Sequence, residues 1–341
     1  MKSKITLLLT VILLVACQNK PNKKKEAKET LINKEILASL GTKHKNKFAK
    51  GIALSNKEIA ENPTNVDAYV GLAETYIILH AFGYLSNAQT MPHVNEAYQK
   101  ASQLNPTNAG VLKIAGLISF LNRDWKNTEE LFVKSIEANP EDIGVRHWYT
   151  LYLMAMNRID EGVAQSDIVV SMDKNNDYLI ARSSIYYFLQ QFEKMKPLMF
   201  KDIEANPETP WAYDWLGMAY NGLNEHDDAI KTYIKGFELS DGTVEVGGGL
   251  GHALAQAGEI ELAKKMTDYY TKAAKDRYLP PCQRSFIHLG LGENEVALKL
   301  LEQAYEEKSW FLIFMQIEHW YDPIRKDKRF VEIMSKMNFP E

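Results

Sequence analysis

Cysteine is almost absent from this chain. Cys17 and Cys282 are the only two in 341 residues, which excludes a disulfide-stapled scaffold. Long apolar runs are scarce as well. The run at residues 5–15 is shorter than the ~20 residues a comfortable membrane span requires. There is no basic surplus: 40 Lys and Arg stand against 44 Asp and Glu, a formal charge of −4, which argues against a nucleic-acid surface. The catalytic patterns HExxH, GxSxG, GxGxxG and GxxxxGK[ST] do not occur. The eight histidines are scattered, with no His or Cys pair at helical spacing, so a metal site would have to be assembled across distant segments. No cofactor is implied. Cys282, left without a partner for the reason given below, is expected to pack as a small apolar residue; a reactive thiol is the alternative.

What is present begins with a targeting segment. Lys2 and Lys4 precede the short apolar run, and Leu14-Val15-Ala16-Cys17 follows it. This is similar to a bacterial lipobox, in which residues 1–16 are a cleaved signal peptide and Cys17 is acylated. A secretory signal with a chance cysteine is the alternative. Gln18 follows the cysteine, and by similarity to Gram-negative lipoproteins this implies the outer membrane, periplasmic face. Residues 17–34 read as the lipidated Cys and a solvated tether. Six lysines and two glutamates in residues 18–34 give it +4 within a chain of −4, so the remainder is acidic. A polybasic lipid-binding role is the sharper alternative for the tether.

The rest of the chain is periodic. Pro63, Pro106, Pro140, Lys174, Pro207, Asp241, Lys275 and Ser309 recur at spacings of 43, 34, 34, 33, 34, 34 and 34. That period, with two helices per unit, is that of the tetratricopeptide (TPR) repeat. Proline suits these places because it cannot continue the helix before it and fits the first turn of the next. The clearest copy is Pro207 to Asp241. Tyr213, Leu216, Gly217 and Tyr220 share one face of its first helix, and Ala229, Tyr233 and Gly236 one face of its second. Small residues receive large ones at the crossing, and each pair needs neighbours to bury its apolar face. The fold class expected is all-α: a TPR solenoid, a right-handed superhelix of about seven helix-turn-helix repeats over residues 35–309, with a C-terminal cap at 310–341 holding one helix, Phe330 to Met337.

Three local departures are expected. The spacing of 43 places nine extra residues in a loop over His80 to Met91, where Tyr84 could act as a lid. Lys196 replaces a small residue in repeat four, and Pro197 should start or kink its second helix. The run Gly247-Gly248-Gly249 inside a helix costs about 1 kcal/mol per glycine against alanine, so very close helix packing must compensate.

Several stretches make the resemblance more specific. They are HWYTLYLM at 147–154, YDWLGMAYNGLNEHDDAI at 213–230, the turn Tyr278-Leu279-Pro280-Pro281, and the ending Tyr321-Asp322-Pro323-Ile324-Arg325 with Lys328-Arg329-Phe330. Over roughly residues 48–341 the chain resembles the C-terminal TPR region of bacterial winged-helix regulators, TPR-bearing serine/threonine kinases and adenylate cyclases. The resemblance implies a fold and an ancestry without catalytic residues; the DNA-binding, kinase or cyclase domain is replaced here by the lipobox and tether.

In TPR stacks the first-helix positions two, five, nine and twelve face the concave groove. In repeat five these are Trp211, Asp214, Met218 and Asn221, in repeat four Tyr178, Ala181, Ile185 and Phe188, and in repeat three His147 and Leu151 among them. Tyr178, Ile185, Phe188, Trp211, Asp214, Met218, Asn221, His147 and Leu151 are therefore the candidate partner-binding residues. Lys113 and Arg182 are isolated cations, so the cluster with which chaperone adaptors clamp a peptide carboxylate is missing. Aromatic and Met anchors suit a protein or peptide segment. A small glycan, peptide or lipid ligand is the second reading, and mere core filling the third.

Overall fold

The computed structural model describes residues 42–174, 178–240 and 244–340, and the signal, Cys17 and tether readings lie outside them, as does Asp241. Within that range the chain is all-helical. A first helix, α1 (Thr42–Glu61), is followed by seven helical pairs. They are α2 (Val66–Ala81) with α3 (Asn87–Leu104), α4 (Ala109–Leu121) with α5 (Trp125–Ala138), α6 (Ile143–Ala155) with α7 (Ile159–Met172), and α8 (Leu179–Phe188) with α9 (Phe192–Ala205). Then come α10 (Pro210–Gly222) with α11 (His226–Leu239), α12 (Val244–Gln256) with α13 (Ile260–Ala273), and α14 (Pro281–Gly290) with α15 (Asn294–Glu306). Two 3₁₀ segments, Trp310–Phe314 and His319–Ile324, lead to α16 (Lys328–Met337). The pairs stack in register as a TPR solenoid.

The turns between repeats follow from Asn-Pro chemistry. Asn105, Asn139 and Asn206 each precede a proline and are held extended, at φ −155°, −144° and −134°, because the proline ring forbids them the helical region. Asn65, Asn108 and Asp142 then accept backbone N–H bonds at the next helix start. Tyr69 and Tyr213 hydroxyls and the Arg146 guanidinium donate to the carbonyls of Pro63, Pro207 and Pro140. The turns within repeats use a left-handed residue each time: Gly83, Arg123, Asn157, Gln190, Asn224, Gly258 and Gly292.

Packing at the crossings needs the absent side chains. A Cβ on Gly217 would lie 2.7 Å from the Tyr233 ring, and one on Gly249 would lie 2.5 Å from that same ring. A Cβ on Gly247 would collide with the Tyr270 hydroxyl. The glycine run is therefore where α12 closes on α11 and α13, as the sequence required.

Two expectations are corrected. The extra residues of repeat one do not form a long loop over 80–91. They lengthen α2 and α3 to 16 and 18 residues, against 13 and 14 in repeat two, because Ser86 and Gln89 form a reciprocal cap that starts α3 early. Tyr84 is no lid, since it is buried against Phe48 with ring centroids 5.7 Å apart. Of the two expectations for Pro197, the helix start is excluded: α9 begins at Phe192 and runs through the proline. Lys196 reaches the Glu225 carboxylate at 3.2 Å and lies over the Tyr220 ring, tying α9 to repeat five where a small residue would only have packed.

Cys282 is fully buried, and burial pushes its thiol up to about 12.

Candidate functional site

The concave face is occupied by the chain's own C-terminal segment. Trp310 sets its ring edge-on to Phe120 and Trp148, at 5.3 and 5.5 Å. Phe314 packs on Phe188 at 5.2 Å. The Tyr187 hydroxyl donates to Glu318 Oε1 at 2.9 Å, and Gln316 Nε2 donates to the Ala155 carbonyl. Trp320 stacks on His252 at 4.3 Å, nearly parallel. The ends of the solenoid also meet. Arg123 donates to the Tyr305 carbonyl and covers that ring, Trp125 Nε1 donates to the Met337 carbonyl, and Gly83 sits so close to Pro280 that a Cβ would lie 2.5 Å from it.

A cavity of about 140 Å³ lies between the inner helices and this segment. Repeat one contributes Ala81 and Phe82, repeat three His147, Trp148 and Leu151, and repeat four Ile180, Ser184, Tyr187 and Phe188. Repeat five contributes Trp211, Asp214, Trp215 and Met218, and repeat seven Gln283 and Phe286. Trp310, Phe311, Phe314 and Glu318 close it from the cap. Phe82 stacks on Trp211 at 4.7 Å, nearly parallel. Ten of the lining side chains are Phe, Tyr or Trp, and aromatic faces and edges of this kind present both apolar area and a negative ring face.

The cavity holds polar atoms that find no partner among the described residues: His147 Nδ1, Asp214 Oδ1 and Gln283 Oε1. Burial drives the His147 imidazole down to about 4. The imidazole is therefore uncharged at neutral pH, and burial also drives the Asp214 carboxyl well above its ordinary range. The Tyr187 phenol is raised by burial and then by the Glu318 carboxylate it bonds.

Of the nine candidates, the structure brings six to this cavity: His147, Leu151, Phe188, Trp211, Asp214 and Met218. Tyr178 stands beside it, its ring 5.6 Å from that of His147. Ile185 is fully buried in the core and does not line it. Asn221 lies further along α10, donating to His252 Nδ1 and accepting from His226 Nδ1, both at 3.1 Å. The two cations are not isolated in space. Lys113 pairs with Glu74 at 3.0 Å and Asp142 at 3.4 Å, and Arg182 pairs with Asp167. The residues missed are those of 310–318, whose lack of a repeat period hid their inward direction. The aromatic density of WFLIF and HWY was the signal available. Among the described residues no cluster of three or more His, Cys, Asp or Glu could hold a metal, and no helix is long and apolar enough to cross a membrane.

No protein-family model matches the sequence, and no curated protein matches it significantly. Solved structures do resemble it. The Cut9–Hcn1 hetero-tetramer of the APC/C aligns with a TM-score of 0.59 at 13% identity, over 85% of this chain and 52% of that one. A tetratricopeptide repeat protein from Parabacteroides merdae gives 0.49 at 12%, over 73% and 96%, and yeast Tom70 gives 0.49 at 17%, over 98% and 75%. At such identities the likeness is one of fold.

Proposed function

We propose that this chain is a non-enzymatic binding module of the bacterial cell envelope. It is anchored through a lipid on Cys17, at the periplasmic face of the outer membrane, and presents its TPR superhelix to a protein or peptide segment. The observation that carries this reading is the aromatic cavity, in which buried polar atoms stand without partners. Such atoms are costly to leave unpaired, and an occupant that pairs them recovers that cost. The residue stretches similar to the TPR region of winged-helix regulators, kinases and cyclases support a common ancestry, with the sensory or docking half kept alone. A pull-down from detergent-solubilised envelope, with the wild type and with Trp211→Ala plus Phe188→Ala, tests the proposal. Partners recovered by the wild type should be lost with the double variant; identical partners in both would remove the cavity from the binding site.

A second reading, a small-ligand sensor or carrier, is favoured by one specific observation. The groove is filled by 310–324, so the space left admits an occupant of about 140 Å³ rather than a continuous peptide. A thermal-shift screen with glycan fragments, short peptides and lipids separates the two, since a specific ligand raises the melting temperature by mass action.

A further inference from the structure

We propose that the inner cavity is a seat for a small organic cation, an ammonium group carried on a compact apolar body. The inference rests on the reading of this cavity as the binding site and names the chemistry of its occupant. Four of the chain's six tryptophans line the walls, Trp148, Trp211, Trp215 and Trp310, and tryptophan is the strongest side-chain partner for a cation. The charged groups of the lining are all of one sign. Asp214 and Glu318 line the cavity, and no lysine or arginine does so among the described residues. An anion would find two carboxyls and no cationic donor there.

The hydrogen-bonding inventory points the same way. Asp214 is 6% exposed and Gln283 2% exposed, and Asp214 Oδ1 and Gln283 Oε1 both lack a partner. Gln283 Oε1 is an acceptor, and Asp214 Oδ1 is one whenever that carboxyl is ionised, so the occupant that satisfies both is a donor. Glu318 differs: its Oε1 already accepts from Tyr187 Oη and the Trp320 N–H. An apolar occupant would leave the acceptors bare. A neutral hydroxyl would satisfy one of them but would gain little from the rings. A protonated amine donates to Asp214, favours the ionised form of that carboxyl by opposite charge, and sets its alkyl part against the aromatic wall. The size also fits, because a cavity of about 150 Å³ accepts a ligand such as benzene.

The ammonium could belong to a free amine or to a lysine presented by a partner, and the test separates these. Tryptophan fluorescence of the full chain in detergent is titrated with isopentylammonium and with N-acetyl-lysine amide. Each has a neutral counterpart of similar shape, isopentanol and N-acetyl-norleucine amide. At least one amine should bind about 30-fold more tightly than its counterpart, the factor a desolvated cation–π contact supplies. Which amine does so identifies the source. Asp214→Asn, which preserves the shape of the site, should lower that preference while leaving the neutral compounds unchanged. Equal affinity for both amines and their counterparts would overturn the cation assignment and leave the cavity as a seat for apolar groups. Silence from all four would overturn it together with the small-ligand reading, leaving the pull-down as the separate check on a protein partner.

Discussion

Acid should weaken this fold through His252, by an amount that can be worked out. Its imidazole is 8% exposed, stacked on Trp320, and receives the Asn221 amide N–H at Nδ1. Asn221 cannot simply turn its carbonyl toward His252, because that oxygen already faces His226 Nδ1. Protonation at Nδ1 would therefore oppose two donors inside a buried site. Burial, reinforced by His319 and His226 nearby, lowers the group from 6.5 to about 3. A depressed histidine is neutral when folded, so its contribution is fully present above pH 6.5. It is lost as the pH falls from there and levels off below about 3. At pH 5 the unfolded imidazole holds a proton that the folded one does not, which costs about 2 kcal/mol relative to pH 7.5. Urea unfolding of the wild type and His252→Gln at both pH values measures it. The variant shifts the baseline at either pH, so the informative quantity is the difference in pH dependence. The wild type should lose about 2 kcal/mol more than the variant on acidification. Parallel pH curves, or an NMR titration placing folded His252 near 6.5, would refute the argument.

Other outcomes follow from single sites. Gln190 holds φ 54° at the turn between α8 and α9, so Gln190→Gly should raise stability by about 1 kcal/mol in urea melts. The same change at Arg123 should not, because that side chain binds Tyr305. Trp310 is 5% exposed among Phe120, Trp148 and Phe314. Trp310→Ala should cost about 3–5 kcal/mol and admit an apolar dye to the inner face, read by its fluorescence. The Asp214 carboxyl is raised when folded, so its stabilising contribution belongs to acid and is lost as pH rises. Without ligand, Asp214→Asn should therefore melt above the wild type at pH 7, with the gap closing toward pH 3.

The repeats were legible because each Asn-Pro turn and each small residue at a crossing acts within one 34-residue unit. Gly217 and Tyr233 meet where the period says they should. The inner-face positions of repeats three to five were legible for the same reason, and Trp211, Asp214 and Phe188 come together through helix register alone. What was not legible depends on contacts between distant units. Phe82 of repeat one stacks on Trp211 of repeat five, a contact that no single unit's period announces. Glu318 reaches Tyr187 only because 310–324 leaves the helical period and turns inward. Lys113 looked isolated along the chain, since its partners Glu74 and Asp142 belong to the neighbouring repeats.

The filled groove limits how a partner can engage. Eight apolar side chains of 310–324 are buried: Trp310, Leu312, Ile313, Phe314, Met315, Trp320, Tyr321 and Ile324. At about 2 kcal/mol each, exposing them costs on the order of 16 kcal/mol, and about a third less against a compact unfolded reference. Nanomolar binding corresponds to about 12 kcal/mol. A peptide that displaced this segment would need to rebury an equal apolar area before any affinity appeared. An occupant of the remaining cavity meets no such requirement. It touches helices from five repeats and the cap at once, so its binding energy would hold the cap against the repeats rather than compete with it. A partner protein is therefore better served by offering one side chain to the cavity than by threading a segment through the groove, and a variant that loosens the cap, such as Trp310→Ala, should weaken small occupants rather than strengthen them.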